Sequence, residues 1–96
     1  MRLGFVYILA SKPFGTLYVG VTNNLIGRVL QHREGRGSVF TRRYRVTRLV
    51  WFEAHQSIAA AIQRETSLKR WKRDWKIDLV NESNPEWRDL FDDLDQ

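Results

Sequence analysis

Cysteine is absent, which excludes a disulfide framework and any thiolate metal centre and suits a reducing compartment. Proline occurs twice, and both copies read as punctuation: Pro13 within Ser11–Gly15, and Pro85 after Asn84. Long apolar runs are missing too. The N-terminal stretch Leu3 to Ala10 stops at Lys12 and Pro13, too short to span a membrane and without a signal-peptide layout. A cytoplasmic protein with no membrane partner is therefore the expectation. Acids are scarce in one half only. Residues 1–50 hold nine Lys/Arg against Glu34 alone, whereas residues 51–96 hold seven against ten acids. Those acids crowd the C-terminus as Glu82, Glu86, Asp89, Asp92, Asp93 and Asp95. A net charge of +5 thus conceals a strongly basic first half, whose field favours polyanionic partners. Charge alone supports a merely soluble basic protein equally well.

What is present suffices for one domain. Ninety-six residues, 43% of them hydrophobic and including four Trp and five Phe, can build a single economical core. No repeat, linker or low-complexity segment interrupts the chain. Gly4 to Ala10 reads as a buried strand, Ser11–Gly15 as a turn and Thr16 to Val21 as the second arm of a hairpin. Thr22 and Asn23 suit the cap of a helix that presents Leu25, Ile26, Val29 and Leu30 and ends at Glu34-Gly35. Gly35 to Arg45 reads as a loop, and Val46 to Glu53 as a third strand. Ser57 caps a helix from Ile58 to about Trp71, and another follows from about Asp74 to Asn81. Asn84-Pro85-Glu86 predicts one more helix start. The expected fold class is α+β, a small three-stranded antiparallel sheet flanked by helices. Residues 1–91 would form the domain, and 92–96 an acidic, frayed tail.

Three features suggest chemistry. Tyr7 and Tyr18 fall on adjacent strands of one hairpin, which packing alone also explains. Arg28 and His32 stand at i, i+4, so their side chains meet, although an exposed basic pair is the commoner outcome. Glu65 falls near the middle of a helical stripe formed by Ile58, Ala61, Ile62 and Leu68. A carboxylate there needs a partner, either a structural cation or a metal. In the loop expected at 35–45, Phe40, Arg42, Arg43, Tyr44 and Arg45 interleave aromatic and basic groups, as phosphate and base contacts require.

Together, Phe5-Val6-Tyr7 and Tyr18-Val19-Gly20 resemble the paired tripeptides of the GIY-YIG nuclease family. Arg28 on the following helix and Glu65 on a later one continue the same order, so that the likeness spans roughly residues 4 to 81. The segment from Trp75-Lys76-Ile77 to Asn84-Pro85-Glu86-Trp87 resembles short, stand-alone bacterial members. The resemblance implies a metal-dependent endonuclease that hydrolyses DNA phosphodiesters as a monomer. It implies Tyr7 and Tyr18 as active-site tyrosines, one of them the general base, and Arg28 as the phosphate-binding cation. His32 would relay a proton, and Glu65 would be the sole protein ligand of one Mg²⁺ or Mn²⁺ ion. One position departs from the family pattern, where an Asn following the catalytic Glu is replaced by Ile77. Larger members carry fused domains that choose the site; at this length none is expected, so low sequence specificity, or recognition of a structure or a single strand of DNA, is the expectation. A non-cleaving nucleic-acid-binding module of the same fold is the alternative. A protein-interaction domain anchored by Trp71, Trp75 and Trp87 ranks third.

Overall fold

The computed structural model describes residues 3–94. Gly4–Ala10 forms β1, Leu17–Thr22 β2, Leu25–Arg33 α1, Val39–Tyr44 α2, Arg48–His55 β3, Ile58–Arg70 α3 and Arg73–Ser83 α4. A 3-10 turn, Leu90–Asp93, follows. The strands make one antiparallel sheet in the order β2-β1-β3, and the fold is α+β.

β1 is central and both of its faces are packed over, so alternation along it divides the core in two. Val6, Ile8 and Ala10 meet Val19, Ala61, Leu68, Val80 and Trp87 on one face. Tyr7 and Leu9 meet Leu25, Val29, Val46, Leu49 and Leu94 on the other. The hairpin register pairs Tyr7 with Gly20 and Leu9 with Tyr18, which puts both tyrosines on the α1 face.

Between β1 and β3 the register slips, from Ile8 opposite Trp51 to Leu9 opposite Leu49, leaving Val50 as a bulge. The C-terminal segment satisfies the displaced backbone. Asn84 Nδ2 donates to the Val50 carbonyl at 3.1 Å, and Asp89 Oδ1 accepts from Leu49 N at 3.3 Å.

Several sequence expectations need correction here. Residues 39–44 form the short helix α2 rather than loop, because Ser38 caps it by accepting from Thr41 N at 3.0 Å. The cap of α1 is Asn24, which accepts from Gly27 N at 3.1 Å, rather than Thr22 or Asn23; Thr22 Oγ1 instead holds Asn24 N. Asn84-Pro85-Glu86 starts no helix. Asn84 closes α4, its side chain being taken up by the bulge and by Arg88. The stripe on α3 is also rotated: Ile58 and Ile62 are exposed, while Ala61 and Leu68 are buried and Glu65 lies half-buried between them. Finally, Asp92 and Asp93 belong to the 3-10 turn against β3, and Leu94 is buried, so order continues past Asp92. Asp95 and Gln96 lie outside the described residues.

Candidate active site

Tyr7 is almost wholly buried, and its ring lies across the neighbouring strand at Gly20. A Cβ at Gly20 would fall 2.3 Å from Tyr7 Cζ, so only glycine lets the phenol cross there. The second tripeptide therefore has a steric reason for its last residue. Beyond Gly20, the Tyr7 hydroxyl meets His32 Nε2 at 2.9 Å.

His32 lies on the buried face of α1, and its other ring nitrogen meets Thr41 Oγ1 at 2.9 Å. Thr41 is fully buried on α2, and its hydroxyl can donate to the Ser38 carbonyl at 3.3 Å. One direction satisfies the whole chain: Tyr7 O–H donates to Nε2, Nδ1–H donates to Thr41, and Thr41 donates to Ser38. Gly37 closes the other side of the imidazole, where a Cβ would stand 2.0 Å from Nδ1. Burial pushes the His32 pKa down to about 4, and the charge of Arg28 acts in the same direction. The imidazole is neutral at pH 7, as this hydrogen-bond direction requires.

Burial likewise pushes the Tyr7 phenol up to about 12. Arg28 opposes that rise, while the proximity of Tyr18 and Glu65 adds to it. Arg28 is half-buried on α1, with one guanidinium nitrogen donating to Gln31 Oε1 at 2.8 Å and the other to the Gly37 carbonyl at 3.0 Å. Tyr18 packs edge-on against His32, with ring centres 5.3 Å apart, and lies 6.3 Å from the Tyr7 ring. From Tyr18 the aromatic contacts run outward to Phe40 at 6.1 Å and on to Tyr44 at 5.0 Å.

Glu65 enters from α3. Its carboxylate pairs with Lys69 one turn later at 2.8 Å, and its side chain keeps 13% of its exposure. No buried arginine pairs with it among the described residues, and its charge acts on Tyr7. Nor do the described residues contain a group of three or more His, Cys, Asp or Glu placed to share an ion. A single carboxylate with access to water is the kind of ligand that a hard cation retaining most of its hydration takes.

Tyr7, Tyr18, Arg28 and His32 therefore converge, and Glu65 lies within electrostatic reach of Tyr7. Arg42, Arg43, Tyr44 and Arg45 are all exposed on or just after α2, at the outer end of the aromatic path. Thr41, Ser38, Gln31 and Gly37 also belong to the site, and sequence reasoning does not single them out. Of these, only the Ser38-to-Thr41 spacing carries a signal in the sequence, that of a helix cap.

Residues 3–78 match the family described as the GIY-YIG catalytic domain. The chain belongs to the GIY-YIG family. A UPF0213 protein of Clostridium perfringens is 37% identical over 79 residues, covering 82% of this chain and 84% of that protein. A UPF0213 protein of Staphylococcus epidermidis is 32% identical over 78 residues, covering 81% of this chain and 94% of that protein. The solution NMR structure of a UPF0213 protein from Bacillus halodurans superposes with a TM-score of 0.56 at 30% identity, covering 92% of this chain and 93% of that one. These relatives are of similar length to this chain. The GIY-YIG family is a nuclease family, and no helix among the described residues is long and apolar enough to cross a membrane. At the position of the family's Asn, Ile77 packs on the core. Nearby, Asn81 accepts from the Trp87 indole at 2.7 Å and Asn84 holds the bulge.

Proposed function

We propose that this chain is a metal-dependent endonuclease that hydrolyses phosphodiester bonds in DNA. The observation that carries the reading is the hydrogen-bonded series Tyr7–His32–Thr41, with Arg28 and Glu65 disposed around the phenol. A phenol held near pKa 12 is a poor base if it must ionise first. Its neutral oxygen can nevertheless accept a proton from an attacking water while its own proton moves to Nε2 of His32. Phosphate binding beside His32 would raise the basicity of the imidazole and help that transfer. With Nδ1–H donating to Thr41, Nε2 is free to accept. Arg28 would hold the scissile phosphate and offset the charge growing on its oxygens. Glu65 would hold one Mg²⁺ or Mn²⁺ ion, which supplies Lewis acidity toward phosphate and leaving oxygen when bound.

Exposed Arg42, Arg43 and Arg45 would take phosphates on either side of the cut, with Tyr44 alongside as a stacking surface. The test is incubation of the purified protein with supercoiled, linear and single-stranded DNA in Mg²⁺, Mn²⁺ or EDTA. Cleavage in the metal lanes that EDTA abolishes is the expected result. Intact DNA in every lane, despite measurable binding, would instead identify a non-cleaving binder.

A further inference from the structure

The elbow between α3 and α4 carries a second concentration of cations and aromatics. Residues 69–76 read Lys-Arg-Trp-Lys-Arg-Asp-Trp-Lys, five cations around one acid, Asp74. Two of the cations are occupied. Lys69 pairs with Glu65, and Arg73 donates to the carbonyls of Phe14 and Gly15 at 2.7 and 2.8 Å, tying the elbow to the β1–β2 turn. Arg70, Lys72 and Lys76 have no carboxylate partner among the described residues. In their midst Trp75 remains 52% exposed. Its ring stands edge-on to half-buried Trp71 at 6.2 Å, and Lys72 Nζ lies 5.6 Å from its centre. An indole braced from one side, open on another and flanked by unpaired cations is poorly explained by packing alone.

We propose that this elbow is a second nucleic-acid contact, where Arg70, Lys72 and Lys76 take strand phosphates and Trp75 stacks one unpaired base. The inference rests on the nuclease reading and names where the strand continues beyond the cut. Continuity supports it, because Glu65 and the elbow share α3 and are joined by the Lys69 ion pair. Charge complementarity favours a polyanion: three free cations beside a single acid repel a basic partner and reward a phosphate chain. Trp75 adds what a uniform anionic surface could not use, a half-exposed flat ring with Lys72 beside it.

Direct binding of a fluorescein-labelled, mixed-sequence single-stranded oligonucleotide, in EDTA so that no cleavage occurs, tests the proposal. Affinity is measured across a salt series for wild type, Trp75→Ala, Trp75→Phe and the triple variant Arg70→Ser/Lys72→Ser/Lys76→Ser, with melting curves for each. The triple variant should bind more weakly and lower the steepness of log affinity against log salt by about two. Trp75→Ala should weaken binding on the order of tenfold, and Trp75→Phe should restore much of the loss. Folded variants with wild-type affinity and slope would overturn the elbow contact and leave the nuclease reading intact. Such a result would return Trp75 to the role of a protein-facing anchor. A wild-type protein with no oligonucleotide affinity at any salt would overturn both.

Discussion

The Tyr7 hydroxyl lies 2.9 Å from His32 Nε2, although the two residues come from a strand and a helix that share no local sequence. Gly20 makes the meeting feasible by leaving the phenol room to cross β2, and Gly37 by letting the backbone close over the imidazole. Two buried, neutral rings are thereby joined, and Thr41 holds the far nitrogen of the imidazole.

Tyr7→Phe should slow single-turnover cleavage by about 10²–10⁴-fold, the usual worth of positioned proton transfer. Arg28→Ala should slow it by removing charge stabilisation of the transition state. Melting curves measured beside the rates decide the interpretation. Variants that remain folded at the assay temperature yet cleave slowly support the assignment, whereas global unfolding would make both residues structural.

Protonation should follow the buried environment. His32 binds its proton less readily when folded, near pH 4, than when unfolded, near 6.5. Its contribution to stability is therefore complete above about pH 6.5 and is lost as pH falls toward 4. Tyr7 behaves oppositely: with a folded value near 12 against 10 unfolded, its contribution is complete below pH 10 and fades toward 12. NMR titration of the His32 ring checks the first claim directly. A midpoint near 6.5 would contradict the buried, neutral imidazole.

Thr41→Val preserves shape but removes the hydroxyl that meets His32 Nδ1. An unsatisfied buried donor costs about 1–3 kcal/mol, so the melting temperature should fall. Cleavage should fall as well, because the imidazole is no longer held in one tautomer. Thr41→Ser keeps the oxygen and should recover most of both. Equal behaviour of the Val and Ser variants would show that Thr41 serves packing alone.

Replacing Arg42, Arg43 and Arg45 by Ser should weaken DNA binding and flatten its salt dependence, by about 0.7–0.9 in slope for each phosphate no longer neutralised. An unchanged slope would take α2 off the nucleic-acid path.

Much of this arrangement is legible from the sequence, for reasons that differ by element. The hairpin and β3 are marked by β-branched and aromatic runs between turn residues, and α3 by Ser57 and strong helix formers. Tyr7, Tyr18, Arg28 and Glu65 are recognisable by their order along the chain. Helix α2 is hidden because six residues following the glycine-bearing segment 35–37 have too little length for periodicity to show. Thr41 is hidden with it, since its role depends on a neighbour nine positions away that only folding brings near. Asn84 misleads because its cap-like context with Pro85 and Glu86 competes with a long-range demand, the carbonyl of the Val50 bulge. Leu94 is masked by the acids around it. On α3, the sheet takes small Ala61 and Leu68 and leaves Ile58 and Ile62 in solvent, a choice that tertiary fit makes and amphipathic counting cannot.

The most direct measurement compares wild type with Glu65→Gln and Glu65→Leu, in single-turnover DNA cleavage and in thermal melts with Mg²⁺ or EDTA. The partner of Glu65 is Lys69, whose side chain is 53% exposed, so breaking that pair should cost only about 0–1 kcal/mol. Both variants should stay folded, with the Leu variant about as stable as wild type in EDTA. Both should lose cleavage, and the stabilisation that Mg²⁺ confers on wild type should disappear with the carboxylate. Wild-type cleavage rates in Glu65→Gln, or a wild type whose melting Mg²⁺ does not move, would contradict a metal site at Glu65.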